Sequence, residues 1–135
     1  MQASIRDQLS VVERGSLEDF KKFVDSNSLS ACAEIRLIEL DKTEEFSYYV
    51  RQYRIEMATQ IKLLELGTEA MLNIYLRSNH GVKFPINAEI KLLRRNDLVL
   101  LAVFLRYTSF SSRAISWMMK HCDKRMVNAV LSLNR

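Results

Sequence analysis

The sequence predicts an all-α protein, an α-α superhelix (solenoid) of about five antiparallel helical hairpins. Three observations favour this class. The 135 residues include only three Gly and one Pro, which leaves little room for the many turns of a β-sandwich. Similar stretches recur along the chain, among them "AEIRLIEL", "TQIKLLEL" and "AEIKLLRR". Their apolar residues recur at helical spacing.

The repeat can be followed through pairs of adjacent apolar residues. These pairs begin at Val11, Leu37, Leu63, Leu92 and Met118, in steps of 26, 26, 29 and 26 residues. The longer step contains "HGVKFP", where three extra loop residues fit. We therefore expect one helical-repeat domain over 1–135, with repeats over about 8–33, 34–59, 60–88, 89–114 and 115–135. Stacked hairpins bury each other's apolar faces. A four-helix bundle is the alternative, but its helices would be longer and would not share one turn signature.

Each repeat is expected to contain a first helix, a tight turn and a second helix. The first helices are expected over about 5–14, 31–40, 57–66, 86–95 and 112–121, and the second over 17–26, 43–53, 69–78, 98–107 and 124–133. The turn position holds Gly15, Asp41, Gly67, Asn96 and Cys122. Four of these five tolerate the left-handed conformation that ends helices.

The residue after the turn is expected to cap the second helix. This position holds Ser16, Lys42, Thr68, Asp97 and Asp123. Four of these are good N-caps, and Thr43 is expected to replace Lys42. Ser30, Pro85 and Ser111 mark starts of first helices.

The i, i+3, i+4 spacing also predicts the core. In the second helices we expect burial of Phe20, Phe46, Tyr49, Leu72, Tyr75, Leu101 and Phe104. In the first helices we expect burial of Ile35, Ile38, Ile61, Leu64, Ile90 and Leu93.

Two stretches, "VVERGSLEDFKKFVDSN" and "LLELGTEAMLNIYLRSN", resemble the helical half of an ankyrin repeat. There, too, a first helix ends in Gly and a small polar residue precedes the second helix. The 26-residue period is shorter than the ankyrin period of about 33, and it lacks the TPLH-like turn and β-hairpin. Over residues 8–133 the chain also resembles uncharacterised bacterial proteins built from short helical repeats. Both resemblances imply an α-α superhelix and leave the function open.

No motif for catalysis, for a cofactor or for a metal is found. The glycines are isolated, and HExxH, CxxC and GxSxG patterns do not occur. The neighbours His121, Cys122 and Asp123 point in different directions and cannot form a triad with one another. Cys32 and Cys122 lack metal-ligand spacing, and we interpret them as buried thiols in a reducing cytoplasm, with a disulfide as the alternative. We therefore expect a protein that is not an enzyme.

The composition also predicts a cytoplasmic protein with no membrane partner. The first twenty residues do not resemble a signal peptide. The longest apolar run, "LVLLAVFL", is far shorter than the about 20 residues of a membrane span.

Polar residues recur between the apolar ones of the first helices, which predicts a candidate interaction surface. It comprises Arg36, Lys62, Lys91, Arg94, Trp117 and Lys120. The alternative is a solvated face whose charges pair with each other, such as Arg36 with Glu39 at i, i+3. Trp117 is expected either to close the open end of the core or to anchor a partner or a second copy.

Charge is unevenly distributed along the chain. Residues 1–59 hold 8 Lys/Arg and 11 Asp/Glu, whereas residues 60–135 hold 12 and 5. The function we expect first is a protein–protein interaction or scaffold module, with possible homo-oligomers through the terminal repeats. The alternative is nucleic-acid binding through the basic C-terminal half. In that case we expect a basic groove that binds the nucleic acid and is lined by Arg77, Lys91, Arg94, Arg95, Arg106, Lys120, Lys124 and Arg125.

Overall fold

The computed structural model describes residues 3–134, and within this range the protein is all α-helical with no strand. Ten helices follow one another. They are α1 (Ile5–Arg14), α2 (Leu17–Ser26), α3 (Ala31–Glu39), α4 (Thr43–Val50), α5 (Met57–Leu66), α6 (Glu69–Ser78), α7 (Ile86–Arg94), α8 (Leu98–Tyr107), α9 (Ser112–His121) and α10 (Lys124–Leu133). None of these described helices is long and apolar enough to cross a membrane.

Each helix packs against the helix two positions further along the chain. The odd-numbered helices α1, α3, α5, α7 and α9 therefore form one row, and the even-numbered helices form a second row. The two rows also touch within the pairs α1–α2, α3–α4, α5–α6 and α7–α8. One apolar cluster fills the space between the rows, so every helix contributes one face to a shared core.

The expected core of the even-numbered helices is confirmed, since all seven residues named from the sequence are buried. The expectation for Ile35, Ile61 and Ile90 is wrong, because all three are only partly buried. In α3 the buried positions include Ala33 and Leu37, one helical turn apart. At 3.6 residues per turn, the residue midway between them points to the other side of the helix.

Two predicted boundaries move because two turns use positive φ. Asp41 and Asn96 have φ of 54° and 53°, which is the left-handed region that the sequence predicted there. As a result α3 and α7 each end one residue earlier than expected.

The end of α4 also differs from the expectation, which extended this helix to residue 53. The helix ends at Val50, where the N–H groups of Gln52 and Tyr53 both donate to the carbonyl of Tyr49.

The same prediction is wrong for Gly15 and Gly67, which have extended backbones with φ of −71° and −62°. Glycine fits these two positions because it has no Cβ atom. A Cβ at Gly15 would lie 2.6 Å from the carbonyl oxygen of Val11, and one at Gly67 would lie 2.5 Å from that of Leu63. Both glycines donate their N–H to the same oxygens, so the helix end is closed by a contact that a Cβ would obstruct.

The expected N-caps of the even-numbered helices are confirmed at Ser16, Thr68, Asp97 and Asp123, whose side chains accept backbone N–H groups of the first turn. Thr43 does not act as a cap. It is the first residue of α4, and its hydroxyl donates to Asp41. The start of α4 has no side-chain cap, and Glu44 and Glu45 in its first turn face the positive end of the helix dipole.

Candidate interaction surface

The predicted surface residues lie on the row of odd-numbered helices, and their charges are linked from helix to helix. Arg36 of α3 donates to Glu13 of α1 at 3.1 Å and to Glu39 of its own helix at 3.3 Å. The hydrogen bond to Glu13, followed by that to Glu39, raises the pKa of Arg36. Arg36 therefore joins α1 to α3 through carboxylates on both sides.

A second set of pairs joins α5 to α7 through a single carboxylate. Glu65 of α5 binds Lys91 of α7 at 2.8 Å and Lys62 of its own helix at 2.9 Å. These hydrogen bonds, first that of Lys91, lower the pKa of Glu65. The hydrogen bond to Glu65 raises the pKa of Lys62, and the charge of Glu39 in α3 adds to this rise, so the charges continue from α3 to α5.

Aromatic contacts extend the same surface to α9. The guanidinium of Arg94 in α7 lies 5.6 Å from the ring centre of Trp117 in α9, a cation–π arrangement. The ring of His121 stacks on Trp117 at 4.5 Å, and its Nδ1 lies 2.9 Å from the carbonyl oxygen of Trp117. Trp117 is half-buried and packs on the edge of the core, and its named contacts place it between α7 and α9.

All six predicted residues lie on odd-numbered helices, and we call this set the odd-helix face: Arg36, Lys62, Lys91, Arg94, Trp117 and Lys120. The first three are engaged with carboxylates. Arg94 and Lys120 are exposed, and neither forms an ion pair with a described carboxylate. Exposed ion pairs stabilise by only about 0.2–1 kcal/mol each, so these pairs contribute little to the stability of the fold.

A polar column on the odd-numbered helices was not anticipated from the sequence, and three of its four members are buried. Gln8, Glu34, Gln60 and Glu89 occupy the same position in successive repeats, three residues before the apolar pair. Gln8, Glu34 and Glu89 are 1%, 1% and 3% exposed. Their spacing of 26, 26 and 29 residues was the available signal, since Gln and Glu rarely recur among buried apolar positions.

Each buried side chain of this column holds the start of the next odd-numbered helix. Gln8 accepts the N–H of Ser30 at 2.7 Å, and Glu89 accepts the N–H of Ser111 at 2.8 Å. Glu34 accepts the N–H of Glu56 at 3.0 Å. These three partners are the N-cap residues of α3, α9 and α5, so the column fixes where each helix begins.

Gln60 departs from this pattern for a chemical reason. The next odd-numbered helix, α7, has Pro85 as its N-cap, and proline has no backbone N–H to donate. Gln60 instead donates to the hydroxyl of Tyr75 at 3.1 Å. The side chain thus turns towards an even-numbered helix at the one junction where the usual donor is missing.

The cysteines differ from their interpretation as buried thiols. Both are free; Cys122 is partly buried, but Cys32 is exposed and lies 3.3 Å from the hydroxyl oxygen of Ser30. Burial raises the pKa of the Cys122 thiol, which disfavours the reactive thiolate.

Comparisons with protein-family models, with curated proteins and with solved structures found no match to this chain.

Proposed function

We propose that this protein is a non-catalytic helical-repeat module that binds a protein partner through the odd-helix face. In this proposal the ten helices form five antiparallel hairpins that stack into an α-solenoid. Each hairpin resembles the helical half of an ankyrin repeat. The packing of each helix on the second helix along the chain supports this plan, because stacked hairpins contact their neighbours in that way.

The observation that carries the proposal is the composition of the face along its length. Carboxylates and cations neutralise each other from α1 to α5, whereas the α7–α9 end presents Arg94, Trp117 and Lys120. Arg and Trp are the residues most enriched at the energetic centres of protein interfaces. The partly buried Trp117 is also held in place by its neighbours, which reduces the entropy lost on binding.

The partner that fits this end carries carboxylates beside apolar or aromatic side chains. Carboxylates would pair with Arg94 and Lys120, and an apolar group would cover the exposed part of the Trp117 ring. The other end of such a partner would contact Arg36 and Lys62, which are already paired with carboxylates of this protein. To bind there, the charges of the partner must match both the cations and the carboxylates of the face.

Capture of proteins from a lysate of the organism that encodes the chain tests this function. We expect the wild type to retain a protein that Arg94→Ala with Trp117→Ala fails to retain. Arg77→Ala is the matched control, because Arg77 is an exposed arginine on the even-numbered helix α6. Loss of the same protein in both variants, or retention in both, would contradict the assignment of the binding face.

Nucleic-acid binding through the basic C-terminal half is the second candidate. The high positive charge of residues 60–135 favours it. The placement of its proposed cations counts against a single groove. Arg95 donates to the carbonyls of Leu64 and Gly67, and Lys91 is held by Glu65. Four further cations lie on the row of even-numbered helices, namely Arg77, Arg106, Lys124 and Arg125. Binding to nucleic acid would weaken log-linearly and steeply with salt, whereas a mixed protein interface would weaken less.

Self-association through the terminal repeats belongs to the same proposal. Exposed apolar side chains occur at both ends of the helix series, namely Ile5 in α1, Met119 in α9, and Leu131 and Leu133 in α10. Sedimentation of the wild type and of Met119→Ser with Leu131→Ser tests this. A dimer that dissociates in the variant supports association through the last repeat, and a monomeric wild type contradicts it.

A further inference from the structure

The longest connection between two described helices borders an open cleft that the odd-helix face does not use. Residues 79–85 join α6 to α7, whereas four residues each join α2 to α3 and α8 to α9. This connection lengthens the third step of the repeat to 29 residues. The cleft has a volume of about 460 Å³, and its lining includes Arg54, Tyr75, His80 and Lys83.

The connection is anchored by hydrogen bonds to the C-terminal end of α8. The N–H of Gly81 donates to the carbonyl of Tyr107 at 3.2 Å, and the hydroxyl of Thr108 donates to the carbonyl of Val82 at 3.0 Å. Gly81 has φ of 71°, a conformation that glycine adopts without strain.

Ring contacts add to this anchoring. The ring of His80 meets that of Tyr107 edge-on at 5.1 Å, and Phe84 packs against Phe104 at 5.7 Å. The basic side chains of the connection are therefore presented from a fixed backbone, which is the preorganisation that a binding site needs.

The lining of the cleft is basic and contains no carboxylate residue. Arg54 comes from the connection between α4 and α5, while His80 and Lys83 come from the anchored connection. All three are exposed, and neither Arg54 nor Lys83 forms an ion pair with a described carboxylate.

Other clefts of the protein have mixed linings. The cleft beside the turn at Asn96 pairs Arg95 and Arg125 with Asp97 and Asp123. The cleft between α2 and α4 includes Glu44 beside Lys21. Arg54 also lines a second cleft, which contains Glu34 and Glu56. The cleft at the α6–α7 connection differs from these three clefts because its own lining has no acidic residue.

A buried hydroxyl with a free proton adds a directional donor. Tyr75 is 2% exposed and lines the cleft. Its oxygen accepts a hydrogen bond from Gln60 at 3.1 Å, and among the described residues its proton has no acceptor. An acceptor atom from a ligand would complete the bonding of this hydroxyl.

We propose that the cleft formed by Arg54, Tyr75, His80 and Lys83 binds a phosphate-type oxyanion carrying two or more negative charges. Two cations from separate connections oppose those charges, and Lys and Arg both bind phosphate oxygens through charge-assisted hydrogen bonds. His80 and the Tyr75 hydroxyl supply further donors in the same cleft. The site is separate from the odd-helix face, so it does not depend on the proposed protein interaction.

Titration with sodium pyrophosphate, followed by two-dimensional NMR of the ¹⁵N-labelled full chain, tests the site. Sodium chloride of equal ionic strength serves as the reference for general salt effects. We expect saturable shifts of the amides of Ser78, Asn79, Gly81 and Lys83. Arg54→Gln and Lys83→Gln should each weaken binding about tenfold, as expected for loss of one hydrogen bond to a charged group.

Two matched controls separate the site from general positive charge. Arg51→Gln removes an exposed arginine three residues before Arg54, and Lys22→Gln removes an exposed lysine of α2. Both should bind pyrophosphate as the wild type does. The proposal is overturned if no shift saturates, if the shifts spread over the basic residues of α9 and α10, or if a control weakens binding as much as Arg54→Gln. Unchanged thermal melting of each variant shows that folding is intact.

A comparison of pyrophosphate with ADP identifies the source of the oxyanion. Tighter binding of ADP indicates a diphosphate that belongs to a nucleotide, and equal or weaker binding indicates the free anion. Tyr75→Phe should weaken either ligand, because the ring remains while the free hydroxyl proton is removed. Undiminished binding by Tyr75→Phe would overturn the assignment of this hydroxyl to the site.

Discussion

The carboxylate of Glu89 in α7 accepts two hydrogen bonds from Ser111, one from its N–H at 2.8 Å and one from its hydroxyl at 2.7 Å. Ser111 also caps α9 by accepting the N–H of Ala114. One residue pair thus connects the middle of one odd-numbered helix to the start of the next. Gln8 and Glu34 make the equivalent contact in two other repeats, and these contacts together set the spacing between neighbouring odd-numbered helices.

Removal of the Glu89 carboxylate should destabilise the fold. In Glu89→Ala, the N–H and hydroxyl of Ser111 lose their acceptor. Because Ser111 is exposed, water can replace that acceptor, and we expect the loss of a typical net hydrogen bond, about 0.5–1.5 kcal/mol. Glu89→Gln keeps one acceptor oxygen and should cost less. Urea denaturation measures both values, and equal stability of Glu89→Ala and the wild type would contradict this role of the contact.

The stability of the protein should depend on pH through Glu34. Burial raises the pKa of Glu34 above its ordinary value of 4.5, although hydrogen bonds from Thr59, Glu56 and Tyr49 act in the opposite direction. At a pH between the ordinary pKa of Glu34 in the unfolded chain and its raised pKa in the folded protein, Glu34 holds a proton in the folded protein that the unfolded chain has released. The free energy of unfolding should therefore fall as the pH rises from 4.5 to the raised pKa.

Glu34→Gln should flatten this part of the stability profile, because the amide does not titrate. Glu44→Gln is the control, since Glu44 is exposed on α4 and should leave the slope unchanged. Glu65 does not interfere, because its lowered pKa places its effect below pH 4.5. Denaturation at a series of pH values measures the slope, and an unaltered slope in Glu34→Gln would refute the assignment.

The two leucines Leu64 and Leu66 test the orientation of α5. Leu64 is fully buried, and Leu66 in the same helix is 47% exposed. Leu64→Ala should cost about 2–5 kcal/mol of stability, and Leu66→Ala should change it by no more than about 0.5 kcal/mol. Chemical denaturation compares them directly. Similar losses from the two substitutions would show that the buried side of α5 is misassigned.

The helices and most of the core could be predicted because their determinants are local. The apolar pairs and the caps at Ser16 and Thr68 repeat along the chain, and each acts within one or two turns of helix. The glycines show the limit of this reasoning. A left-handed turn and a close contact with a carbonyl both favour glycine, and only the backbone distinguishes Asn96 from Gly67.

The odd-helix face was predictable as a column, but its pairing was not. Arg36 with Glu39 follows from i, i+3 spacing, whereas Arg36 with Glu13 and Lys91 with Glu65 cross between helices. Such contacts depend on how neighbouring helices are aligned. The cleft at the α6–α7 connection could not be predicted from the sequence for the same reason. Arg54 and Lys83 are 29 positions apart, and only the packing of two connections brings them to one cleft.

Site-specific photo-crosslinking tests partner binding by the odd-helix face most directly. A benzophenone amino acid would replace Lys120, exposed at the α9 end of the face, and in a second variant Ala102, exposed on the even-numbered helix α8. After irradiation in a lysate of the organism that encodes the chain, we expect a discrete crosslinked protein at position 120 and none at position 102. Equal crosslinking at both positions, or none at position 120, would contradict the proposal that this face binds a protein.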